Sequence, residues 1–444
     1  MSKQTELLTA LLNGEPIEDF KPKSRMEAYL KNCCLACGCD GLPDPISESD
    51  VLMYQLAKKI AAGGNTGGGA VDLTGCVPSK DLKLSELKNL AIVSNDVSIG
   101  NRAFREWIYL TSVDLPNAES IGEQAFYSCT SLTSVDLPNV TSIGIAAFDA
   151  CTSLANVNMP NVTSVGGGAF LSCYALTSVD LSNVTSIGYE TFKGCTSLTS
   201  VDLSNATSID DYAFQDCASL ASVDLSNATS IGNYTFAGCT TLASVDLPNA
   251  TSIDGHAFQS CIALTSVNLP NATSIGGSAF NNCTSLISVD LPNAESIGDL
   301  AFCDCTSIAN VTMPNVKSIG RNAFGGCTHL ARVDLPNVTS IDANAFWLCP
   351  ALKTLIIRNE NAVCELNFTA ILGTGILTAE GAPTGEGFLY VPAKFYEDYL
   401  AIATQQATYL LMSQGMGEAE AQATADYIAR AIIRKIEDYP EICG

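Results

Sequence analysis

The chain has 444 residues, 47% hydrophobic and only 15% charged, which excludes an intrinsically disordered protein. Its 46 Asp and Glu outnumber 22 Lys and Arg, giving a formal net charge of −24, which argues against nucleic-acid binding through the phosphate backbone. Two histidines beside nineteen cysteines leave few general bases or imidazole ligands, which weakens most enzymatic readings.

From the N-terminus, no basic segment is followed by an apolar core and a small-residue cleavage site, and no apolar run reaches membrane-spanning length. The expectation is synthesis without a signal peptide in a reducing cytosol, where thiols stay free. Membrane insertion is not expected. Release on a phage particle, or display at the cell surface by another route, stays open.

Residues 1–62 read as a small helical module, with helices predicted at about 3–13, 24–36 and 48–62. Ser24 with Glu27 fits a capping box, and Ser47 with Asp50 is a weaker version of it. So short a piece buries little surface alone, so it is expected to dock on a particle or partner, or to oligomerise. Within it, Cys33, Cys34, Cys37 and Cys39 form a cluster in which Cys34-x-x-Cys37 has the spacing of a redox or zinc knuckle. No second pair or His accompanies it at a zinc-module distance, so a Cys-rich helix end is weighed against a metal or redox role. Gly63–Gly69, with Asn65 and Thr66 between, reads as a flexible linker over residues 63–70.

From there self-similarity dominates. Phe recurs at 104, 126, 148, 170, 192, 214, 236, 258, 280, 302, 324 and 346, always 22 residues apart. Such regularity means one supersecondary unit stacked many times. In the copy around Phe148, Val135 and Leu137 alternate with Ser134 and Asp136, the period of a short half-buried strand. Pro138 and Asn139 end that strand. Thr141-Ser142-Ile143 is expected to form a second extended piece, Gly144 to permit a turn, and Ala147 to Cys151 to form one helical or 3₁₀ turn. Twenty-two residues are too few to add a full helix.

The pattern Ile-Gly-x-x-Ala-Phe-x-x-Cys-x-x-Leu-x-x-Val-x-Leu-Pro resembles the BspA-type leucine-rich repeat family, over roughly residues 92 to 360. The resemblance implies a right-handed, curved solenoid with a parallel sheet on its concave face and short turns on its convex face. It also implies a role in binding, since members are commonly surface or adhesion proteins. Some members are encoded in phages or prophages of gut bacteria, and the segments Phe388–Pro392 and Ile436–Pro440 look similar to that group. The fold expected is therefore a leucine-rich repeat solenoid over 71–361, with about twelve repeats. A mixed, partly helical cap is expected over 362–444.

Eleven cysteines share one column, among them Cys129, Cys151, Cys173 and Cys195; the first copy carries Trp107 there. A disulfide ladder is disfavoured, because side chains in register point the same way and their Cβ atoms do not converge. A zinc ladder is disfavoured too, since no second ligand column accompanies the thiols. The column is read as small apolar thiols packed beneath the Phe column that includes Phe126, Phe148, Phe170 and Phe192. The Asn after each strand, as at Asn139, Asn161 and Asn183, is expected to bond to the neighbouring coil. Asn139-Val-Thr and Asn205-Ala-Thr match the glycosylation pattern as a by-product of the repeat.

The outward strand position is Asp at 114, 136, 180, 202, 224, 246, 290 and 334, interrupted by Asn158, Asn268 and Thr312. Adjacent carboxylates repel. Two readings stand: a ladder for calcium, another cation, or a basic or polyhydroxylated partner, and a solvated face that keeps the sheet from aggregating. Calcium asks for six to eight oxygens around one ion, more than a flat row supplies.

Past Phe346 the repeat decays. Leu352, Leu355 and Ile357 keep one more strand, residues 362–392 are expected to form capping strands, and residues 393–436 read mostly as helix broken at Gly415 and Gly417. Ala421, Ala425, Ile428, Ile432 and Ile436 give the last helix one apolar face, either to seal the solenoid or to pair with another chain.

The function expected is a non-enzymatic binding or adhesion protein that offers Asp114, Asp136, Asp180, Asp202, Asp224, Asp246, Asp290 and Asp334, or repeat-variable pairs such as Glu123-Gln124, Ile145-Ala146, Tyr189-Glu190 and Asp211-Tyr212, to a protein or glycan. The alternative is a structural virion component anchored through residues 1–62. No cofactor, metal or catalytic residue is expected. His256 and His329 sit at non-equivalent positions without an evident nucleophile, and no phosphate loop or nucleophile elbow is present.

Overall fold

The computed structural model describes residues 70–72, 90–93, 97–108 and 110–443. The predicted helices of residues 1–62 and the Cys33/Cys34/Cys37/Cys39 cluster lie outside them. The chain divides into two compact units, residues 1–202 and 203–444. Both are built from turns of a parallel-strand β-solenoid, about twelve in all.

In the first unit, Ala70–Asp72 pairs with Leu90–Val93, which pairs in turn with Leu110–Asp114. Ser134–Asp136, Asn156–Asn158, Ser178–Asp180 and Ser200–Asp202 follow, all parallel. Val113, Val135 and Val157 face one another across this sheet and point inward. A second sheet is made from two-residue strands, Ser98–Ile99, Ser120–Ile121, Ser142–Ile143 and Ser164–Val165.

The third side of each coil differs from the helical turn expected at Ala147 to Cys151. Ala147 N–H donates to Gly144, Asp149 to Ala146 and Cys151 to Phe148, so three four-residue turns overlap at every second residue. Ala146 and Ala150 are left-handed, with φ of 52° and 59°, at the third position of the first and last of these turns. A 3₁₀ helix would bond consecutive residues and keep every φ negative. Left-handed backbone is unfavourable for a residue with Cβ. Here it aims the N–H groups of Ala146, Phe148 and Ala150 at Gly167, Ala169 and Leu171 of the next coil, at 3.0, 2.8 and 2.8 Å. The turns thereby make a third inter-coil ladder, which satisfies backbone groups that would otherwise be orphaned.

Gly144 serves a different purpose from the one its sequence context suggests. Its φ is not left-handed. A Cβ there would lie 2.6 Å from Glu123 N and 2.7 Å from the Gly122 carbonyl carbon, so glycine is required by the close approach of the preceding coil.

The interior is a stack of phenylalanines. Phe104, Phe126, Phe148, Phe170 and Phe192 lie with ring centroids 5.0 to 5.3 Å apart and planes within 13° of parallel. They are fully buried. The centroid distance follows the strand spacing that the backbone imposes, about 4.8 Å. Trp107, where later copies carry Cys, meets Phe104 edge to face at 4.8 Å.

The second unit repeats the plan. Its longer strands form two separate parallel pairs, Ser244–Asp246 with Ser266–Asn268 and Ser288–Asp290 with Asn310–Thr312. Further along, Arg332–Leu335, Thr354–Ile357, Phe388–Val391 and Ile433–Lys435 form one parallel sheet. Its short-strand sheet closes on Glu365–Leu366, followed by a 3₁₀ turn at Phe368–Ile371. Phe214, Phe236, Phe258, Phe280, Phe302, Phe324 and Phe346 are all fully buried, and successive rings stack at 5.2 to 5.6 Å.

Two helices, α1 (Tyr396–Ser413) and α2 (Glu418–Ile432), form the cap, joined through Gly415 at φ 97°. α2 buries Ala421, Ala425, Ile428 and Ile432. It stops there, so the apolar face expected to run on to Ile436 ends one turn early. Ile433–Lys435 instead pairs with Leu389–Val391 as the last rung of the sheet, where β-branched Ile433 is favoured. Ile436 packs with Tyr439 and Phe388 against buried Ile356 and Tyr390.

Candidate functional site

The outward column follows from the strand period. Val135 points into the core, so Ser134 and Asp136 point to solvent. Asp114 lies opposite Asp136, and Asp180 opposite Asp202. In the second unit Asp246 lies opposite Asn268, and Asp290 opposite Thr312. Seven of the eight carboxylates are exposed; Asp334 is half-buried.

Local chemistry sorts these carboxylates. Asn158 donates its Nδ2 to Asp136 Oδ1 at 2.7 Å, and Asn268 does the same for Asp246 at 2.8 Å. These amides replace what would be like-charge contacts. Where Ser follows the strand instead of Pro, its backbone N–H is free to donate: Ser182 bonds Asp180 Oδ1 and Ser226 bonds Asp224 Oδ1, each at 3.0 Å. Asp114, Asp136, Asp246 and Asp290 precede a Pro at that position, which has no N–H to give. Asp334 departs from the column. Arg358 grips it through Nε at 2.8 Å and Nη2 at 2.7 Å, and Arg332 approaches at 3.3 Å. It is held in an ion pair at the solenoid's end, which distinguishes it from the other seven.

The Asn after each strand reaches back one coil. Asn139 donates to the Pro116 carbonyl at 2.7 Å, Asn161 to Pro138 at 2.7 Å and Asn183 to Pro160 at 3.0 Å. The thiols do likewise. Cys129, Cys151, Cys173 and Cys195 point Sγ at the carbonyls of Phe104, Phe126, Phe148 and Phe170, at 3.0 to 3.2 Å. Sequence periodicity gives their burial but not this acceptor, 25 residues back. Burial pushes the Cys195 thiol up to about 12 and also raises the Cys239 and Cys261 thiols, so these three stay protonated.

The variable turn positions carry a short aromatic row in the second unit. Tyr212, Tyr234 and His256 stack at 4.9 and 4.2 Å, with planes within 5° of parallel. All three are left-handed turn residues. His256 Nδ1 lies 3.1 Å from Gln259 Oε1. His329 donates Nδ1–H to the Thr306 carbonyl at 2.6 Å. Among the described residues no group of three or more His, Cys, Asp or Glu is placed to hold a metal ion. No helix among them is long and apolar enough to cross a membrane.

The geometry on view, one 22-residue coil repeated with fixed ladders, agrees with comparison to known proteins. The sequence model of the BspA type Leucine rich repeat region matches residues 77–183, 163–286 and 251–368. No curated protein matches the chain. Among solved structures, a leucine-rich repeat protein from Bacteroides ovatus ATCC 8483 is similar at 25% identity with a TM-score of 0.58, over 70% of this chain and 81% of that one. A leucine rich cell surface protein from Faecalibacterium prausnitzii A2-165 aligns at 23% identity and a TM-score of 0.36, over 66% and 82% of the two chains. A leucine-rich repeat protein from Eubacterium ventriosum ATCC 27560 aligns at 19% and 0.40, over 65% and 83%. The chain belongs to the BspA-type leucine-rich repeat family.

Proposed function

We propose that this protein is a non-enzymatic binding or adhesion scaffold whose outward strand face meets a protein or glycan partner. One observation carries the reading: exposed carboxylates stand in register on a sheet whose neighbouring columns are tied coil to coil. A row held this rigidly loses little entropy on binding. Asp114 lies beside Asp136 and Asp180 beside Asp202 in the first unit, whereas Asp246 and Asp290 in the second stand beside Asn268 and Thr312. Complementary charge would steer a basic or hydroxyl-rich surface onto them. The family is generally a binding scaffold, which supports this reading.

The test is a binding screen of the whole chain against host-cell surfaces and a glycan array, beside the variant Asp114→Asn/Asp136→Asn/Asp246→Asn/Asp290→Asn. The scaffold reading expects a bound target and at least tenfold weaker binding by the variant. Equal binding by both proteins removes the carboxylate face from the function. The alternative is a virion component anchored through residues 1–62, which lie outside the described residues; Phe388–Pro392 and Ile436–Pro440 carry only the resemblance to phage-encoded members. Those segments supply the cap, with Tyr439 against Tyr390 at 5.5 Å.

A further inference from the structure

Within the second unit a groove of about 870 Å³ runs along the edge where the long strands end. Asn271, Asn293, Asn315 and Asn337 form one wall. Each gives one Nδ2 hydrogen to a Pro carbonyl of the preceding coil, at 2.7 or 2.8 Å. An amide has two N–H donors and a carbonyl acceptor. The ladder therefore uses one donor and leaves each exposed Asn an N–H and an Oδ1 for a ligand.

The facing wall is Thr273, Glu295, Lys317 and Thr339, two residues further along each coil. Thr273 and Thr339 donate their hydroxyls to the carbonyls of Thr251 and Lys317, at 3.1 and 2.9 Å, which leaves their oxygens as acceptors. Lys317 and Glu295 pair at 2.8 Å. The one cation and the one anion of the lining cancel, so the groove is neutral in a chain with a formal charge of −24.

One end is walled because the chain leaves the repeat. Buried Asn359 donates to the Val338 carbonyl at 3.0 Å and accepts from Asn361 N–H at 2.9 Å, which turns Asn361 and Ala362 into the lining. The same Asn and Thr columns continue in earlier coils without that wall.

We propose that this groove is a binding site for a neutral oligosaccharide lying along the Asn row; the proposal rests on the reading of the protein as a binding scaffold. Each sugar hydroxyl is donor and acceptor at once and can meet the exposed donor and acceptor of each Asn. The Thr oxygens opposite accept further hydroxyl donors. An anionic ligand would enter against the net charge, and a cationic one would gain more at the Asp column. A peptide would find no pocket for an aromatic or aliphatic anchor, since Ala362 is the lining's one aliphatic residue.

The full chain is tested by affinity electrophoresis and calorimetry against dextran, yeast mannan, laminarin and hydroxyethylcellulose. Two variants leave the ladders intact: Glu295→Ala/Lys317→Ala, which strips the wall, and Ala362→Trp, which fills the groove. The proposal expects at least one polysaccharide to bind, about tenfold weaker binding by both variants with unchanged melting temperature, and no change in Asp114→Asn/Asp136→Asn. Binding by none of the four overturns it, as does wild-type affinity in both groove variants. Sensitivity only to the Asp variant overturns the groove and keeps the scaffold function. A protein target held through the Asp column, with no polysaccharide bound, has the same meaning.

Discussion

Cys151 donates its thiol to the backbone carbonyl of Phe126, 3.1 Å away in the preceding coil. The Phe126 N–H is itself bonded to Ala147, so the residue that fills the core is held at both of its backbone groups by the next coil. Cys261 makes the same contact to Phe236 at 3.2 Å. Replacing Cys261 with Ala removes a weak hydrogen bond and opens a small void, and should cost about 1–3 kcal/mol. Cys261→Ser keeps a donor and should fall between Ala and wild type. Urea denaturation gives the order; hydrogen exchange shows whether the loss centres on the Phe236 coil.

The same burial makes the column chemically silent. A thiol attacks as its thiolate, and burial holds Cys195 at about 12. Iodoacetamide at pH 8 should leave Cys173, Cys195, Cys239 and Cys261 unlabelled in the native protein and label them all in urea. Peptide mass spectrometry checks this, and native labelling of the column would contradict the arrangement.

Asp149 carries a pH signature. Burial, with the charge of Glu190 added, raises its carboxyl to about 6, against a smaller pull from the Ala150 N–H. Its folded value lies above its unfolded one, so protonation favours the fold. That contribution is full below about pH 4 and is lost as pH rises through about 6. Asp149→Asn should therefore stabilise the protein at pH 8, by about 1 kcal/mol or less once solvent screening of this half-exposed group is allowed for. Below pH 4 the two proteins should melt together in a thermal scan.

Glycine substitutions separate close approach from simple flexibility. Gly276→Ala would place Cβ 2.6 Å from the Asp254 carbonyl carbon, whereas at Gly188 the nearest atom is 3.4 Å away. The first should cost more than about 2 kcal/mol and the second about 1 or less. Comparable melting temperatures for the two variants would contradict the glycine argument.

Arg358→Ala should expose the cost of the one carboxylate drawn out of the column. It leaves half-buried Asp334 with only the more distant Arg332. A loss of about 1–2 kcal/mol is expected from the bidentate pair, measured by denaturation at low and high salt.

The fold was readable in the sequence because a solenoid writes its geometry as a period. The Phe column and the Val–Asp alternation give the core, the sheet and the outward carboxylates without any knowledge of distant contacts. What period cannot give is the partner across coils. Nothing around Cys151 distinguishes a thiol that merely fills space from one that bonds Phe126. Gly144 looked like a turn residue because glycine usually marks one, but a neighbouring coil's backbone fixes it. The left-handed positions were hidden because Ala146, Tyr234 and His256 carry no shared side-chain chemistry. The end of α2 was missed because Ile432 and Ile436 keep helical spacing while the sheet edge claims Ile433. Asp334 looked like its column mates until Arg358, in the decaying repeat, was placed beside it.

At the end of the short-strand sheet, Gln406 of α1 accepts the Phe368 N–H at its Oε1 and donates Nε2 to the Leu366 carbonyl at 2.9 Å. A stack of near-identical parallel rungs carries no internal instruction to stop, and an uncovered last rung is a template for the first rung of another molecule. One glutamine amide, shaped like a peptide group, occupies the place such a rung would take. The side chain thus caps that edge of the sheet with the donor and acceptor a further rung would supply.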